Sequence, residues 1–222
     1  MTYDVMVLRL GRKIINYVYI IVDRLTKQSA IVDPAWDMPA ICSVIEKNNL
    51  QIVMILLTHS HEDHVQLVEP LVSRYNCKVY ISIHEAHFYQ FQCSNMQVLD
   101  DGSRILLGGT AVTCILTPGH TAGGMCYSLS HSLFTGDTIF IEGCGICSSY
   151  GGDPYRMFES MRRIRTMIEP NVLIYPGHSF GIFPGVPMKY VIDNNLYFQI
   201  DDVETFVRFR MRPNQPKDYK YV

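Results

Sequence analysis

No apolar run in the sequence is long enough to cross a bilayer: the strongest early one, residues 14–22, is broken by Asn16. The chain opens on Met1-Thr2-Tyr3-Asp4, with neither a basic stretch nor a small-residue cleavage pattern, so no secretory signal is expected. An excess of one charge is also missing. Nineteen Lys and Arg stand against 21 Asp and Glu, for a net charge of -2, which speaks against a global nucleic-acid-binding surface. The seven cysteines are odd in number and lack the spacing of a disulfide framework, which fits a reducing compartment and a cytoplasmic protein. There is no repeat at a period of 20–50 residues and no low-complexity linker.

What is present is a soluble globular balance, 48% hydrophobic and 18% charged over 222 residues, enough to bury a sizeable core. One domain over residues 1–222 is expected, with a polar, mobile tail over 213–222. Two strands, 5–10 and 17–22, read as a hairpin through Gly11-Arg12-Lys13, and 30–32 as a third strand. Residues 38–47 carry apolar positions at a helical period, and 52–57 are continuously apolar, as in a strand buried on both faces. Residues 63–75 read as helical with an interruption at Pro70, 78–83 as a strand and 84–91 as a short helix. Short strands with Gly turns follow from 96 to 140, then a helix over 154–168, a strand over 171–175 and a helix over 200–211. Strand–helix units thus enclose a block of antiparallel strands, which implies two sheets packed face to face with helices outside, a layered α/β sandwich.

The strongest chemical signal is Thr58-His59-Ser60-His61-Glu62-Asp63-His64. In an extended segment, residues i and i+2 point the same way, so His59 and His61 project into one space. If the chain curls near Asp63, then Asp63 and His64 reach an adjacent point. This donor set suits two borderline metal ions, zinc first, with iron or manganese also compatible. Four residues cannot fill two sites, so further ligands are required. His120, Asp137 and His178 each follow an apolar strand in a loop beside Gly, which permits a tight turn close to a metal. His84, His87 and His131 lack such company and read as ordinary histidines.

His59-x-His61-x-Asp63-His64, followed by His120, Asp137 and His178, resembles the five-motif pattern of the metallo-β-lactamase superfamily, with Asp33 in Val32-Asp33-Pro34 as its first, structural motif. The resemblance implies an αββα sandwich of two mixed sheets with helices on both outer faces. It implies one metal on His59, His61 and His120, a second on Asp63, His64 and His178, and Asp137 bridging them. A hydroxide held between the ions would be the nucleophile, oriented by Asp63. Asp63-His64 together with Asp137, and Gly143-Cys144-Gly145, resemble the glyoxalase II branch more than true β-lactamases. That branch has a cation directly after the GCG triplet to grip glutathione; here the residue is Ile146.

The segment 143–157, with Val32-Asp33-Pro34-Ala35-Trp36-Asp37, resembles the zinc-dependent hydrolases of bacterial trans-acyltransferase polyketide synthases. That resemblance implies a thioesterase stripping acyl groups from the phosphopantetheine arm of an acyl carrier protein. Ile146, Cys147, Tyr150 and Tyr155 would then line the substrate channel. The Cys144–Cys147 pair reads as part of that loop rather than a redox couple, because no thioredoxin-like context surrounds it. An acidic carrier would want a basic face, for which Arg156, Arg162, Arg163 and Arg165, or Arg208, Arg210, Arg212, Lys217 and Lys220, are candidates. Two readings stay open beside this one: a hydroxyacylglutathione hydrolase, and a non-catalytic metal-binding partner of a synthase complex. No nucleic acid and no membrane insertion are expected.

Overall fold

The computed structural model of the protein describes residues 1–213. Its first six strands form one sheet in the order of the sequence: β1 (Tyr3–Gly11), β2 (Ile15–Asp23), β3 (Gln28–Val32), β4 (Gln51–Leu56), β5 (Lys78–Ser82) and β6 (Met96–Leu99). The next six form the second: β7 (Arg104–Leu107), β8 (Thr110–Leu116), β9 (Met125–Ser128), β10 (Ser132–Gly136), β11 (Leu173–Pro176) and β12 (Val186–Pro187). Helices α1 (Met38–Lys47), α2 (Glu62–Val65), α3 (Val68–Tyr75) and α4 (Ile83–Tyr89) belong to the first half; α5 (Pro154–Met167), α6 (Met188–Asn194) and α7 (Val203–Arg210) belong to the second.

Strand alternation explains why the layers stack as they do. On β2, Tyr17, Tyr19 and Ile21 turn inward and meet Cys114, Tyr127, Phe134 and Tyr175 of the other sheet. Val18, Ile20 and Val22 turn outward onto Ile41 and Ile45 of α1 and Leu71 and Val72 of α3. Met157, Met161 and Ile164 of α5, Met188 of α6 and Phe206 of α7 cover Ile115, Leu133 and Ile174 on the outer face of the second sheet. Both sheets are mixed and both outer faces are covered, giving the layered sandwich expected from the sequence. Each large apolar side chain removed from water contributes about 1.5–3 kcal/mol, so the three clusters provide a rigid frame for whatever sits at their rim.

Strand direction decides what sits there. β3, β4 and β5 run parallel, and so do β10 and β11, with Gly136 opposite Pro176. Parallel neighbours end on the same side, so the loops after β3, β4, β8, β10 and β11 converge on the seam between the sheets. No helix among the described residues is long and apolar enough to cross a membrane.

Local differences from the sequence reading have simple causes. The helical break falls at Gln66-Leu67, and Pro70 sits in the first turn of α3, where its missing N–H is not needed. α7 starts at Val203 because the Asp202 carboxylate accepts from Thr205 N–H at 2.7 Å and caps it there. α6 and a 3-10 turn at Leu196–Gln199 lie in a stretch without a clear apolar period. The expected tail lies, beyond Pro213, outside the described residues.

Away from the rim, buried Asp23 joins the two sheets. It accepts from Thr26 N–H and hydroxyl at 2.9 and 2.7 Å, from Thr110 hydroxyl at 2.8 Å and from Gly109 N–H at 3.2 Å. Burial opposes its ionisation, but the hydrogen bonds from Thr26, Thr110 and Gly109 outweigh this and lower its pKa from 3.8 to about 2. A depressed folded pKa means that its stabilisation is full above about pH 4 and is lost as the pH falls toward 2. Asp23→Asn should therefore lower Tm by roughly 2–8 °C at pH 6, and the gap to the unmodified chain should close toward pH 2 in thermal melts across that range.

Candidate metal centre

β4 ends at Leu56, and the extended chain beyond it presents His59 and His61 before α2 begins at Glu62. The imidazoles of His59, His61 and His120 form one group whose ligand atoms lie within 4.8 Å of each other, and Asp63, His64 and His178 form a second. Asp137 stands between the two. Its Oδ2 is 3.4 Å from His120 Nε2 and 3.3 Å from His178 Nε2, and its Oδ1 is 3.6 Å from His64 Nε2. All seven residues picked out in the sequence thus meet at one place.

The orientation of the rings is set from behind. His64 Nδ1 faces Asp33 Oδ2 at 3.0 Å, His120 Nδ1 faces Ile146 O at 2.7 Å and His178 Nδ1 faces Ile15 O at 3.0 Å. A carbonyl or carboxylate oxygen only accepts, so each of these Nδ1 atoms carries the hydrogen. Thr58 gives its hydroxyl hydrogen to Asp33 Oδ2 at 2.6 Å and is left to accept from His59 Nδ1 at 3.0 Å. In their neutral forms, these four rings therefore turn bare Nε2 lone pairs inward. His64 Nε2 and His178 Nε2 are 3.3 Å apart, and His120 Nε2 is 2.9 Å from His61 Nδ1.

Facing nitrogens need a proton or a cation between them. Buried His59 Nε2 and Asp137 Oδ1 find no hydrogen-bond partner among the described residues. Nitrogen and carboxylate donors left bare and aimed at common points fit borderline divalent metals. A further grouping, Asp33 with His59 and His64, is geometrically close. Asp33, however, already accepts from Thr58 N–H at 2.8 Å, the Thr58 hydroxyl and His64, so it acts as an orienting acid.

Burial sets the charge of each group. It holds His59 well below the usual histidine range and His120 down at about 4, so both stay neutral and ready to ligate. Burial acts the same way on His64, but the carboxylates of Asp137, Asp33 and Asp63 outweigh it and raise His64 to about 9. Burial also resists ionisation of Asp137, yet the positive fields of His178 and His64 hold its carboxyl well below the usual range. Close approach to this cluster requires glycine at two loops. A Cβ on Gly177 would stand 2.5 Å from Asp137 Oδ1, and one on Gly136, at φ +47°, would stand 2.3 Å from Thr58 Oγ1.

Glu85, which the sequence reading passed over, ties two of these loops together. Fully buried at the start of α4, it accepts from Ser60 N–H at 2.9 Å, Ser60 hydroxyl at 2.8 Å and Gly123 N–H at 3.0 Å. Ser60 lies between His59 and His61, and Gly123 lies three residues after His120. A lone Glu at a helix start carries no sequence signal for such a role.

A cavity of about 330 Å³ opens beside Asp137, lined in part by Phe140, Ile146, Phe180 and Tyr197. Cys147 and Cys144 are buried, and burial pushes both thiols far up, which suits packing rather than redox chemistry. Tyr150 and Tyr155, expected to line a channel, do not line this cavity. Tyr155 projects from α5 to Glu204 at 3.3 Å, and Tyr150 is 76% exposed and packs on Phe88.

Most of the candidate basic residues already have partners within the chain. Arg163 is taken up by Asp101 and Leu116 O, Arg162 by Asp201 and Ile200 O, and Arg165 by Phe198 O. Arg210 is buried and donates to Cys144 O at 3.2 Å and Tyr197 hydroxyl at 2.8 Å. With Arg212 it lines the cavity, so cations absent from the loop itself arrive from the end of α7. Lys217 and Lys220 lie outside the described residues.

A family model described as the metallo-beta-lactamase superfamily matches residues 11–178. The chain is 49% identical over 200 residues to "Probable polyketide biosynthesis zinc-dependent hydrolase PksB" of Bacillus subtilis, covering 90% of this chain and 89% of that protein. It is 52% identical over 200 residues to the protein of the same description, BaeB, of Bacillus velezensis, with the same coverage of 90% and 89%. Among solved structures, ETHE1 from Myxococcus xanthus superposes with a TM-score of 0.85 over 96% of this chain and 93% of that one, at 24% identity, a likeness of fold.

Two outcomes are expected from this geometry. Glu85→Ala should cost about 2–4 kcal/mol in thermal or chemical unfolding and lower metal retention on dialysis roughly 10–100-fold, with Glu85→Gln between it and the unmodified chain. His64, raised to about 9, is protonated at neutral pH without metal. Loading should therefore release a proton, and apparent affinity should rise with pH up to about 9, as read by calorimetry in buffers of different ionisation enthalpy.

Proposed function

Because the chain belongs to the metallo-beta-lactamase superfamily, we propose that it is a zinc-dependent hydrolase of polyketide biosynthesis whose substrate is an acyl thioester on the phosphopantetheine arm of an acyl carrier protein. The observation that carries the metal reading is the pair of ligand groups flanking Asp137, with bare buried donor atoms on His59 and Asp137. The pathway assignment draws on the two relatives near 50% identity, both described as probable polyketide biosynthesis zinc-dependent hydrolases.

His59, His61 and His120 would hold one ion, Asp63, His64 and His178 the other, and Asp137 would touch both. When bound, such ions supply Lewis acidity and bring the pKa of coordinated water toward about 7. The chain itself supplies pre-set donors. Ile146 O, Ile15 O, Thr58 and Asp33 hold the Nδ1 hydrogens outward, so four rings would ligate through Nε2 without a change of tautomer. Asp63 accepts from Asn16 and lies 3.4 Å from His178 Nε2, a position from which its carboxylate can both ligate and orient water. In the net reaction one water is consumed and the acyl C–S bond is replaced by C–O. The acyl group leaves as a carboxylate and the arm returns as a thiol.

Phe140, Ile146, Phe180 and Leu196 give the cavity beside Asp137 an apolar wall, which suits an acyl or pantetheine chain. Arg210 and Arg212 at its lining keep the glutathione reading in play, since a carboxylate or a phosphate could reach them. For carrier docking, Arg208 is the exposed α7 candidate, with its guanidinium beside Thr205 Oγ1 at 3.0 Å.

A panel of acyl-carrier, acyl-coenzyme A and acylglutathione thioesters on metal-loaded protein tests this reading. The carrier substrate should show the highest kcat/KM, and His120→Ala or Asp137→Ala should lower it by more than roughly 100-fold. Preference for glutathione would overturn the carrier assignment, and no turnover of any thioester with both metals bound would favour a non-catalytic partner. Arg208→Glu should slow the carrier-bound substrate at low salt while sparing the small thioesters; equal losses would remove the docking role.

A further inference from the structure

Asn16 is the polar residue that breaks the apolar run of β2, and it is 1% exposed. A buried amide in a strand packed on both faces demands partners. All but one lie at the metal centre, and the exception is the indole of Trp36. Asn16 Nδ2 donates to Asp63 O at 2.8 Å and to Asp63 Oδ2 at 3.2 Å, and its Oδ1 accepts from Trp36 Nε1–H at 2.7 Å. Its backbone pairs with His178. On either side of it, Ile15 O accepts from His178 Nδ1 and Tyr17 N–H donates to Gly177 O at 2.8 Å.

The indole N–H donates and cannot accept, so Trp36 decides which way the Asn16 amide faces. With Oδ1 held by the indole, the NH2 group must point at Asp63. Turned over, the amide would set its oxygen against a carboxylate oxygen. Trp36 is itself held unusually. It has φ +71°, outside the range β-carbon residues favour, and its N–H donates to Gln66 Oε1 at 3.2 Å. Two residues away, Pro34 O accepts from Leu67 N–H at 3.1 Å. The turn after β3 is therefore clamped onto the segment that carries Asp63 and His64.

We propose that Trp36 and Asn16 form a positioning relay that fixes the Asp63 carboxylate as a ligand of the second ion. This rests on the metal reading above and adds two residues that the ligand pattern does not contain. Trp36 is the one tryptophan of the sequence, 37% exposed, so any change in emission on loading arises at this residue, one hydrogen bond from the amide that faces Asp63.

The test uses the full chain, stripped by chelator dialysis and titrated with zinc against a chromophoric chelator, with tryptophan emission followed in parallel. Trp36→Phe keeps a ring at a part-exposed position and removes the N–H; Asn16→Ala removes the bridge. The second zinc should bind about 10-fold more weakly in Trp36→Phe and roughly 10–100-fold more weakly in Asn16→Ala, while the first changes by less than about 2-fold. In the unmodified chain emission should change with the second equivalent, and in Asn16→Ala that change should be lost even at saturating zinc. Variants that hold both ions as the unmodified chain does would overturn the relay, as would equal weakening of both ions, which marks a general loosening of the fold. If the unmodified chain binds no zinc, the metal reading itself falls, and that result is read before either variant is compared.

Discussion

The hydrogen bonds behind the imidazoles are what the rim of this fold is organised to make. Ile15 O, Ile146 O, Thr58 and Asp33 each take one Nδ1 hydrogen, which turns the Nε2 atoms inward and sets two of them 3.3 Å apart across the His64–His178 gap, a spacing that needs a proton or a cation between them. In an isolated peptide the rings would turn away. Here they cannot, because each acceptor belongs to a strand end or loop locked by one of the three apolar clusters. The frame is therefore stable enough to keep unfavourable contacts at its edge, the usual arrangement where a site is assembled before its ligand arrives.

Asp33 shows how tightly frame and site are joined. It sits at φ +49°, which costs a residue with a Cβ of order 1 kcal/mol or more. In return its two oxygens hold the N–H and hydroxyl of Thr58 and the ring of His64. One carboxylate thus links the end of β3, the start of the histidine run and a ligand of the second group. Glu85 does the equivalent for the first group, by holding Ser60 and Gly123. Both acids are buried, and both are matched by donors, which is the condition under which a buried charge is tolerated.

Much of this was legible in the sequence because it depends on local rules. The run from His59 to His64 follows from extended geometry, and the continuous apolarity of residues 52–57 follows from burial on both faces of β4. Gly177 beside His178 followed from the need for close approach. The unread part depends on contacts between residues far apart in the chain. Arg210 reaches Cys144 O across 66 positions and Asn16 reaches Asp63 across 47, and no period or spacing encodes either. Asn16 did leave a trace, as the polar interruption of the apolar run 14–22, and such an interruption is itself a request for a buried partner. Nearness in sequence to the Gly143–Cys147 loop does not by itself place a side chain in the cavity beside Asp137: Tyr155 follows the Asp153 cap of α5 and meets Glu204 instead.

The distribution of the ligands over the two sheets has a consequence for folding. Asp63 and the three histidines of the run hang from the first sheet, and His120, Asp137 and His178 from the second. The sheets already touch through Tyr19, Phe134 and Tyr175, whose rings pack at 5.0–5.4 Å. At the rim, Glu85 holds Ser60 of the first half and Gly123 of the second, and Tyr17 N–H donates to Gly177 O. An ion that draws ligands from both halves would add to these links at an edge where the protein places nitrogen against nitrogen. Binding free energy spent there is folding free energy, so the same donors that specify the chemistry would also complete the packing of the sandwich.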